Sequence, residues 1–285
     1  PVLTALWGLR RLGSLRGLPC QVILHGELSH VTRWRSRRPL LRSLQFRGAL
    51  HRWLRARGRV TVLEPHIPEA LRIAMPELGD AVDRIHVVPH PIGESPLLEH
   101  GVPSPPSAPL RVGLPGKVSA DKGIEEFGRL AQRFHGRTDV RFEVHGWLPP
   151  NAPDFDLAGL DVPPSPGALP FEAYVEGVRS LDFACLPLTG GYYDFAASGT
   201  ILDAVASLTP ILTLSTPIAR ATFHEAGDIG YLCDDEDSLA RVIEELASGI
   251  DPARYANQVE QLRAFRESRR PAALADRLSS GWLQA

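Results

Sequence analysis

The sequence predicts an α/β chain built from two Rossmann-like units, and three observations carry that expectation. At 285 residues the chain exceeds the usual size of one domain. Short valine- and isoleucine-rich runs alternate with helical periodicities, the rhythm of parallel strands covered on both faces by helices. A proline-rich stretch interrupts this rhythm: residues 91–109 read "PIGESPLLEHGVPSPPSAP", with four prolines in the last seven positions. The expected division is therefore a first α/β unit over 1–95, a linker over 96–109, and a second unit over 110–270. A C-terminal helix over 271–285 would pack back on the first unit.

In the front section, "CQVILHGE" is a short strand ending at His25, Gly26 and Glu27. An arginine-rich helix is expected from about Pro39 to Arg57. "RVTVLE", from Arg59 to Glu64, is a second strand, and "PEALRIAM" a short helix. "RIHVVPHPI", from Arg84 to Ile92, is a third strand stopped by a proline turn. The opening "PVLTALWGLRRLGSLRG" reads as an amphipathic helix, too short and too charged to span a bilayer. The chain starts without methionine, which leaves room for an upstream portion.

The second half repeats the pattern. "LRVGLPG" is a strand and turn, and "ADKGIEEFGRLAQRF" a helix capped by Asp121, with Ile124, Phe127, Leu130 and Ala131 on one face. "VRFEVHGW" is the next strand, followed by a proline-rich loop over 148–170 and a short helix at "FEAYVEGV". "LDFACLPL" is a buried strand, "TILDAVAS" a helix, and "PILTL" and "DIGYLC" are further strands. "DEDSLARVIEELAS" is a helix whose acidic first turn suits its dipole. A doubly wound unit of this kind binds ligands beyond the carboxyl ends of its strands.

Apolar residues make up 44% and charged residues 22% of the chain, an ordinary globular balance, and the net charge is −2. The distribution is uneven. Ten arginines lie between Arg33 and Arg59, and no acid intervenes between Glu27 and Glu64. Such a face attracts an anionic membrane surface, a phosphorylated substrate or nucleic acid, or is simply solvated. Trp34, Trp53 and Leu54 would add interfacial contacts on a membrane. No nucleic-acid partner is expected, because no reading module is present. Cys20, Cys185 and Cys233 are too few and too scattered for a disulfide framework and read as reduced thiols of a cytoplasmic protein, at the inner face of the membrane if the basic face binds lipid. His, Cys, Asp and Glu do not recur at ligand spacing, so no metal site is expected.

The chain holds only two lysines, Lys117 and Lys122, five positions apart in "LPGKVSADKGIEEF". Gly116 sits where a strand should end, and Lys122 stands at the start of the next helix. Both amines could face the carboxyl edge of the sheet beside a helix N-terminus, which suits a diphosphate; a solvated turn is the competing reading. In "TGGYYDFAASGTILDAVASLTPIL", Gly190, Gly191, Tyr192 and Tyr193 follow a strand, and Ser198, Gly199 and Thr200 open a helix. Ser198 is a cap, and Gly199 lets an anion approach free N–H groups. Asp203, one turn in, could accept from two adjacent hydroxyls such as those of a ribose, or could simply favour the helix dipole.

This order of features resembles the retaining nucleotide-sugar glycosyltransferases of family 4, which have the two-domain GT-B fold. The matching segments are "GKVSADKG", "SGTILDAVASLTPIL" and "EAGDIGYLCDDEDSLARVI", with "RIHVVPHPI" similar to the family's interdomain strand. The resemblance runs from about residue 20 and is strongest over 110–245. It implies that Lys117 and Lys122 hold the donor diphosphate, that Gly116, Gly199 and Thr200 lie near the phosphates, and that Asp203 lies near the donor ribose. It places His145, Gly146 and Trp147 near the nucleotide, with Trp147 stacking on the base, and His25 near the transferred sugar. The implied donor is a UDP- or GDP-sugar, the acceptor a saccharide or lipid-linked hydroxyl, and the chemistry metal-independent with no required cofactor.

Two departures stand out. The family's paired acids are eight positions apart, which puts the first at Phe195; Asp194, beside it, is the candidate replacement. The family's front domain is also longer, so a portion of it is missing here, or is supplied by a second chain. A non-catalytic nucleotide-sugar or glycan-binding module, and an epimerase or hydrolase of the same architecture, therefore stand as alternatives.

Overall fold

The computed structural model describes residues 8, 20–32, 45–99, 101, 103–189 and 191–283. The chain divides into two compact units. One comprises Pro1–Pro91, Gly191–Ala197 and Pro271–Ala285, the other Ile92–Gly190 and Ser198–Arg270.

The first unit is built on strands β1 (Gln21–Leu24), β2 (Arg59–Val62) and β3 (Ile85–Val87), parallel and in the order β1-β2-β3. Helix α1 (Phe46–Arg55) precedes β2, and α2 (Ile67–Ala74) follows it. Positions 49, 50, 53 and 54 share one helical face, and Ala49, Leu50, Trp53 and Leu54 are accordingly buried. They pack with Leu24, Val60, Val62, Leu71 and Phe195 in one cluster. The helix Pro271–Leu283 belongs to this unit, and the carbonyl of Arg277 lies 2.6 Å from His86 Nε2.

This packing corrects the membrane expectation at two positions. Trp53 and Leu54 are both 0% exposed, and Trp53 Nε1 donates to the Arg59 carbonyl at 3.0 Å. Residues so enclosed cannot enter a lipid interface. Arg47 is also occupied: its guanidinium makes a fork to Glu77 at 2.7 and 2.6 Å and donates to the Ala74 carbonyl at 2.6 Å. The opening helix (residue 8 apart), Trp34, and Arg33, Arg35, Arg37, Arg38 and Arg42 lie outside the described residues. Of the helix expected from Pro39, the described part is α1. No described helix is long and apolar enough to cross a membrane.

The second unit contains β4 (Leu110–Pro115), α3 (Ile124–Arg133), β5 (Val140–His145), α4 (Phe171–Arg179), β6 (Phe183–Leu186), α5 (Gly199–Ser207), β7 (Ile211–Leu214), α6 (Pro217–Ala226), β8 (Gly230–Cys233), α7 (Glu236–Ser248) and α8 (Pro252–Ser268). Its five strands are parallel in the order β5-β4-β6-β7-β8. All four residues of β6 are buried, as expected for a central parallel strand covered on both faces. On α3, Ile124, Phe127, Leu130 and Ala131 face the core, and full burial of a side chain such as Phe127 contributes about 1.5–3 kcal/mol. The loop over 148–170 is pinned to this layer: a Cβ on Gly128 of α3 would fall 2.5 Å from the Asp156 carbonyl oxygen. The start of α7 is fixed by a capping box between Asp235 and Ser238. Cys185 and Cys233 are buried, and all three cysteines are free thiols.

Candidate functional site

In the second sheet β5 flanks β4 on one side and β6 flanks it on the other. The winding direction therefore reverses at β4, and a crevice opens beyond the carboxyl ends of β4 and β6. The two-lysine segment leaves β4 at that point. Gly116 turns it with φ +85°, a left-handed conformation natural to glycine. Gly146, just past β5, approaches so closely that a Cβ there would fall 1.7 Å from Gly116 O.

Gly116 is the focus of the crevice. A Cβ on it would meet Lys122 Nζ at 3.0 Å, Thr200 Cγ2 at 3.1 Å and Tyr174 OH at 3.9 Å. Groups from the lysine segment, the start of α5 and α4 thus converge over one residue that has no side chain. The lysine segment is tied to the end of β6, where Thr189 donates from N to the Asp121 carbonyl at 3.1 Å and from Oγ1 to the Ala120 carbonyl at 2.9 Å.

One expectation about this segment is corrected. Asp121 does not cap α3. A short 3₁₀ turn, Ala120–Lys122, intervenes, and the N-cap is Gly123 at φ +76° with no side-chain cap bond. The left-handed turn and close packing on Pro187 O, 1.9 Å from where a Cβ would stand, select glycine there. Ser198 does cap α5, accepting from Ile201 N at 3.4 Å, and its hydroxyl lies 3.0 Å from Thr200 Oγ1. Gly199 is exposed with open space where a Cβ would stand, so an anion can approach the start of α5 there, while the Ile201 N–H is already taken by Ser198.

The electrostatics follow from burial. Lys122 is half-buried, and desolvation lowers its ammonium to about 8; nearby Asp203 opposes that shift and Lys117 adds to it. Asp203 is pushed up by burial, against a hydrogen bond from Tyr174 and the attraction of Lys122. Tyr174 OH donates to Asp203 Oδ2 at 2.5 Å, and burial beside that carboxylate raises the phenol. Lys117 is exposed, with its Nζ 5.7 Å from the Trp147 ring centroid. Trp147 thus carries a cation on its ring.

His145 is engaged elsewhere. Its Nε2 lies 2.9 Å from Glu143 Oε2, and its ring packs where a Cβ on Gly177 would stand, 2.3 Å from Nδ1. Glu143 is 0% exposed, and Arg111 holds it with two bonds of 3.1 and 2.7 Å. Burial alone would raise its carboxyl, but the bonds from His145 and Arg111 take it down to about 2.

The structure thus brings Gly116, Lys122, Gly146, Thr200 and Asp203 together in the second unit, with Lys117, Trp147, Ser198 and Gly199 beside them. Gly190 lies outside the described residues. His25, Gly191, Tyr192, Tyr193 and Asp194 belong to the first unit. There Tyr192 OH packs on the backbone at Gly26, 2.4 Å from where a Cβ would stand, and His66 Nε2 lies 2.8 Å from the Tyr193 carbonyl oxygen. His25 lies edge-on to His90 with ring centroids 5.7 Å apart. Two residues of the second unit escaped sequence reasoning. Tyr174 and Glu143 sit in ordinary helix and strand patterns, and no local signal distinguishes them.

No family model matches the chain, and no curated protein matches it. Solved structures do. An α,α-trehalose-phosphate synthase (UDP-forming) from Burkholderia vietnamiensis aligns over 100% of this chain and 70% of its own, at 11% identity and a TM-score of 0.67. The α,α-trehalose 6-phosphate synthase from Burkholderia multivorans aligns over 98% of this chain and 67% of its own, at 13% identity and 0.62. A UDP-forming synthase from Burkholderia xenovorans in complex with glucose-6-phosphate aligns over 81% and 70%, at 12% identity and 0.56. At such identities the likeness concerns architecture, and the architecture is that of the GT-B type: two α/β units, each on a parallel sheet.

Proposed function

We propose that the chain transfers a glycosyl group from a nucleotide diphospho-sugar to an acceptor hydroxyl, with retention of configuration, and that its second unit holds the donor. The observation that carries this reading is the convergence of Lys122, Thr200 and Tyr174 over Gly116 at the sheet's switch point, beside the open N-terminus of α5. A leaving diphosphate gains negative charge as the glycosidic bond breaks. Lys117, Lys122 and the α5 dipole would bind that charge more strongly in the transition state than in the ground state. These fixed positive groups fill the part a divalent ion plays elsewhere, so the proposed chemistry is metal-independent. Asp203 keeps Oδ1 for a ribose hydroxyl while Oδ2 accepts from Tyr174. Retention, and a role for His25 in orienting the sugar or acceptor, follow from the family 4 resemblance.

The UDP-forming synthases among the architectural matches favour UDP over GDP as the donor base, and the glucose-6-phosphate complex makes a saccharide phosphate the first acceptor to try. A cytoplasmic setting fits the three free thiols. A second reading, donor binding without turnover, is favoured by one observation. Phe195, where the family's first acid belongs, is 3% exposed in the first unit's core and offers no carboxylate. A thermal-shift panel of UDP-, GDP- and ADP-sugars tests donor binding, because ligand binding raises apparent stability by mass action. Release of UDP from the best donor in the presence of acceptor and EDTA then separates transfer from binding. An unchanged shift in Lys122→Ala would remove the site assignment.

A further inference from the structure

Lys122 presents an unusual electrostatic arrangement. Its amine is half-buried, and three groups face it: Asp203 from α5, Lys117 from the segment after β4, and Tyr174 OH from α4 across Gly116. Among the described residues no carboxylate oxygen lies within ion-pair distance of its Nζ, although Asp203 is close enough to act on it. A carboxylate and an ammonium sharing a poorly hydrated crevice attract strongly and would ordinarily close into a direct pair. Here Asp203 Oδ2 is already committed to Tyr174 OH at 2.5 Å, a charge-assisted bond of the short, strong kind.

We propose that Tyr174 is a positioning residue of the anion site: by engaging Asp203 Oδ2 it fixes the carboxylate's orientation so that neither oxygen closes on Lys122, which leaves the amine without a direct ion pair and ready for a diphosphate. The inference rests on the donor-site reading above and adds a reason for the site's readiness. A lysine already paired with a carboxylate must break that pair before it can meet a phosphate oxygen. A lysine kept apart meets it directly, and the exposed start of α5 at Gly199 and the exposed Lys117 add positive potential to the same segment of the unit. Gly116 is part of the same device, since a side chain at that position would occupy the gap across which Lys122 and Tyr174 face one another.

The test uses inorganic pyrophosphate, which has neither ribose nor base and so leaves any ribose contact of Asp203 out of the measurement. Binding is followed by calorimetric titration from pH 7 to 9 for the wild-type chain, Tyr174→Phe, Asp203→Asn and the double variant. Tyr174→Phe frees Asp203 to pair with Lys122, and pyrophosphate binding at pH 7 should weaken about tenfold. Asp203→Asn should bind at least as tightly as the wild type, and the double variant should match Asp203→Asn. A direct pair also stabilises the ammonium, so in Tyr174→Phe the alkaline loss of binding should begin at higher pH than in the wild type. A tyrosine that merely supports the fold would lower binding without moving that limb and without rescue. Wild-type binding in Tyr174→Phe, or weakness that Asp203→Asn does not relieve, overturns the proposal. If Tyr174→Phe does not fold, Asp203→Asn alone decides, weaker binding counting against it. The donor-site reading fails by a different result: no binding of UDP or pyrophosphate by the wild type, or none lost in Lys122→Ala, and the positioning role falls with it.

Discussion

Alkaline pH should uncouple binding from stability in this chain, and the direction of each effect follows from one amine. Lys122 loses its proton at about 8 in the folded chain, against 10.5 for an ordinary lysine, because burial opposes its charge more than Asp203 favours it. One pH unit above that midpoint about nine in ten of these amines are neutral. A diphosphate that depends on the ammonium then binds about tenfold more weakly at pH 9 than on the neutral plateau, a loss of about 1.4 kcal/mol. Stability moves the other way. The folded value lies below the unfolded one, so between about 8 and 10.5 the unfolded chain holds the proton more tightly. The penalty for burying a charge is therefore present below pH 8 and is relieved as pH rises through that window. Calorimetric titration of UDP across pH 7 to 9, paired with urea denaturation at each pH, reads both slopes. Lys122→Arg is the control, since a guanidinium stays charged throughout and should flatten the binding profile. A wild-type affinity that is level to pH 9, or a decline that persists unchanged in Lys122→Arg, would refute the assignment.

Two further outcomes follow from close contacts and burial. Gly146→Ala drives a Cβ to within 1.7 Å of Gly116 O and must part the ends of β4 and β5, so it should cost about 3 kcal/mol in urea denaturation; a loss below about 1 kcal/mol would mean the backbones are not so close. Phe195→Glu places a carboxylate in the first unit's apolar core. It should destabilise by about 3–5 kcal/mol with no gain in turnover, and an active, equally stable variant would contradict the packing.

Much of this arrangement was legible in the sequence because it depends on local rules. Strand-ending glycine, paired lysines and a Ser-Gly-Thr helix start are short-range signals, and Gly116, Lys122 and Thr200 do meet. Asp121 was misread because capping preference is only one influence at a helix start; close packing on Pro187 demanded a glycine two positions later. Trp53 was misread because a run of arginines says which residues are charged, not which face turns inward, and positions 49, 50, 53 and 54 supply the buried stripe. Tyr174 was invisible for a deeper reason. Its partner Asp203 lies twenty-nine residues away, and only the winding of α4 and α5 around the parallel sheet brings a phenol to that carboxylate.

The segment Gly191–Ala197 leaves the second unit and returns to it within seven residues, having lodged Phe195 among the apolar side chains of the first. Together with the junctions after Pro91 and Arg270, the polypeptide changes units four times. No single cleavage can therefore yield two self-sufficient halves. A fragment ending before residue 191 forfeits an interior phenylalanine and the closing helix of the front unit. In evolution, a swap of the second unit for that of another protein would carry a piece of its neighbour's interior along with it.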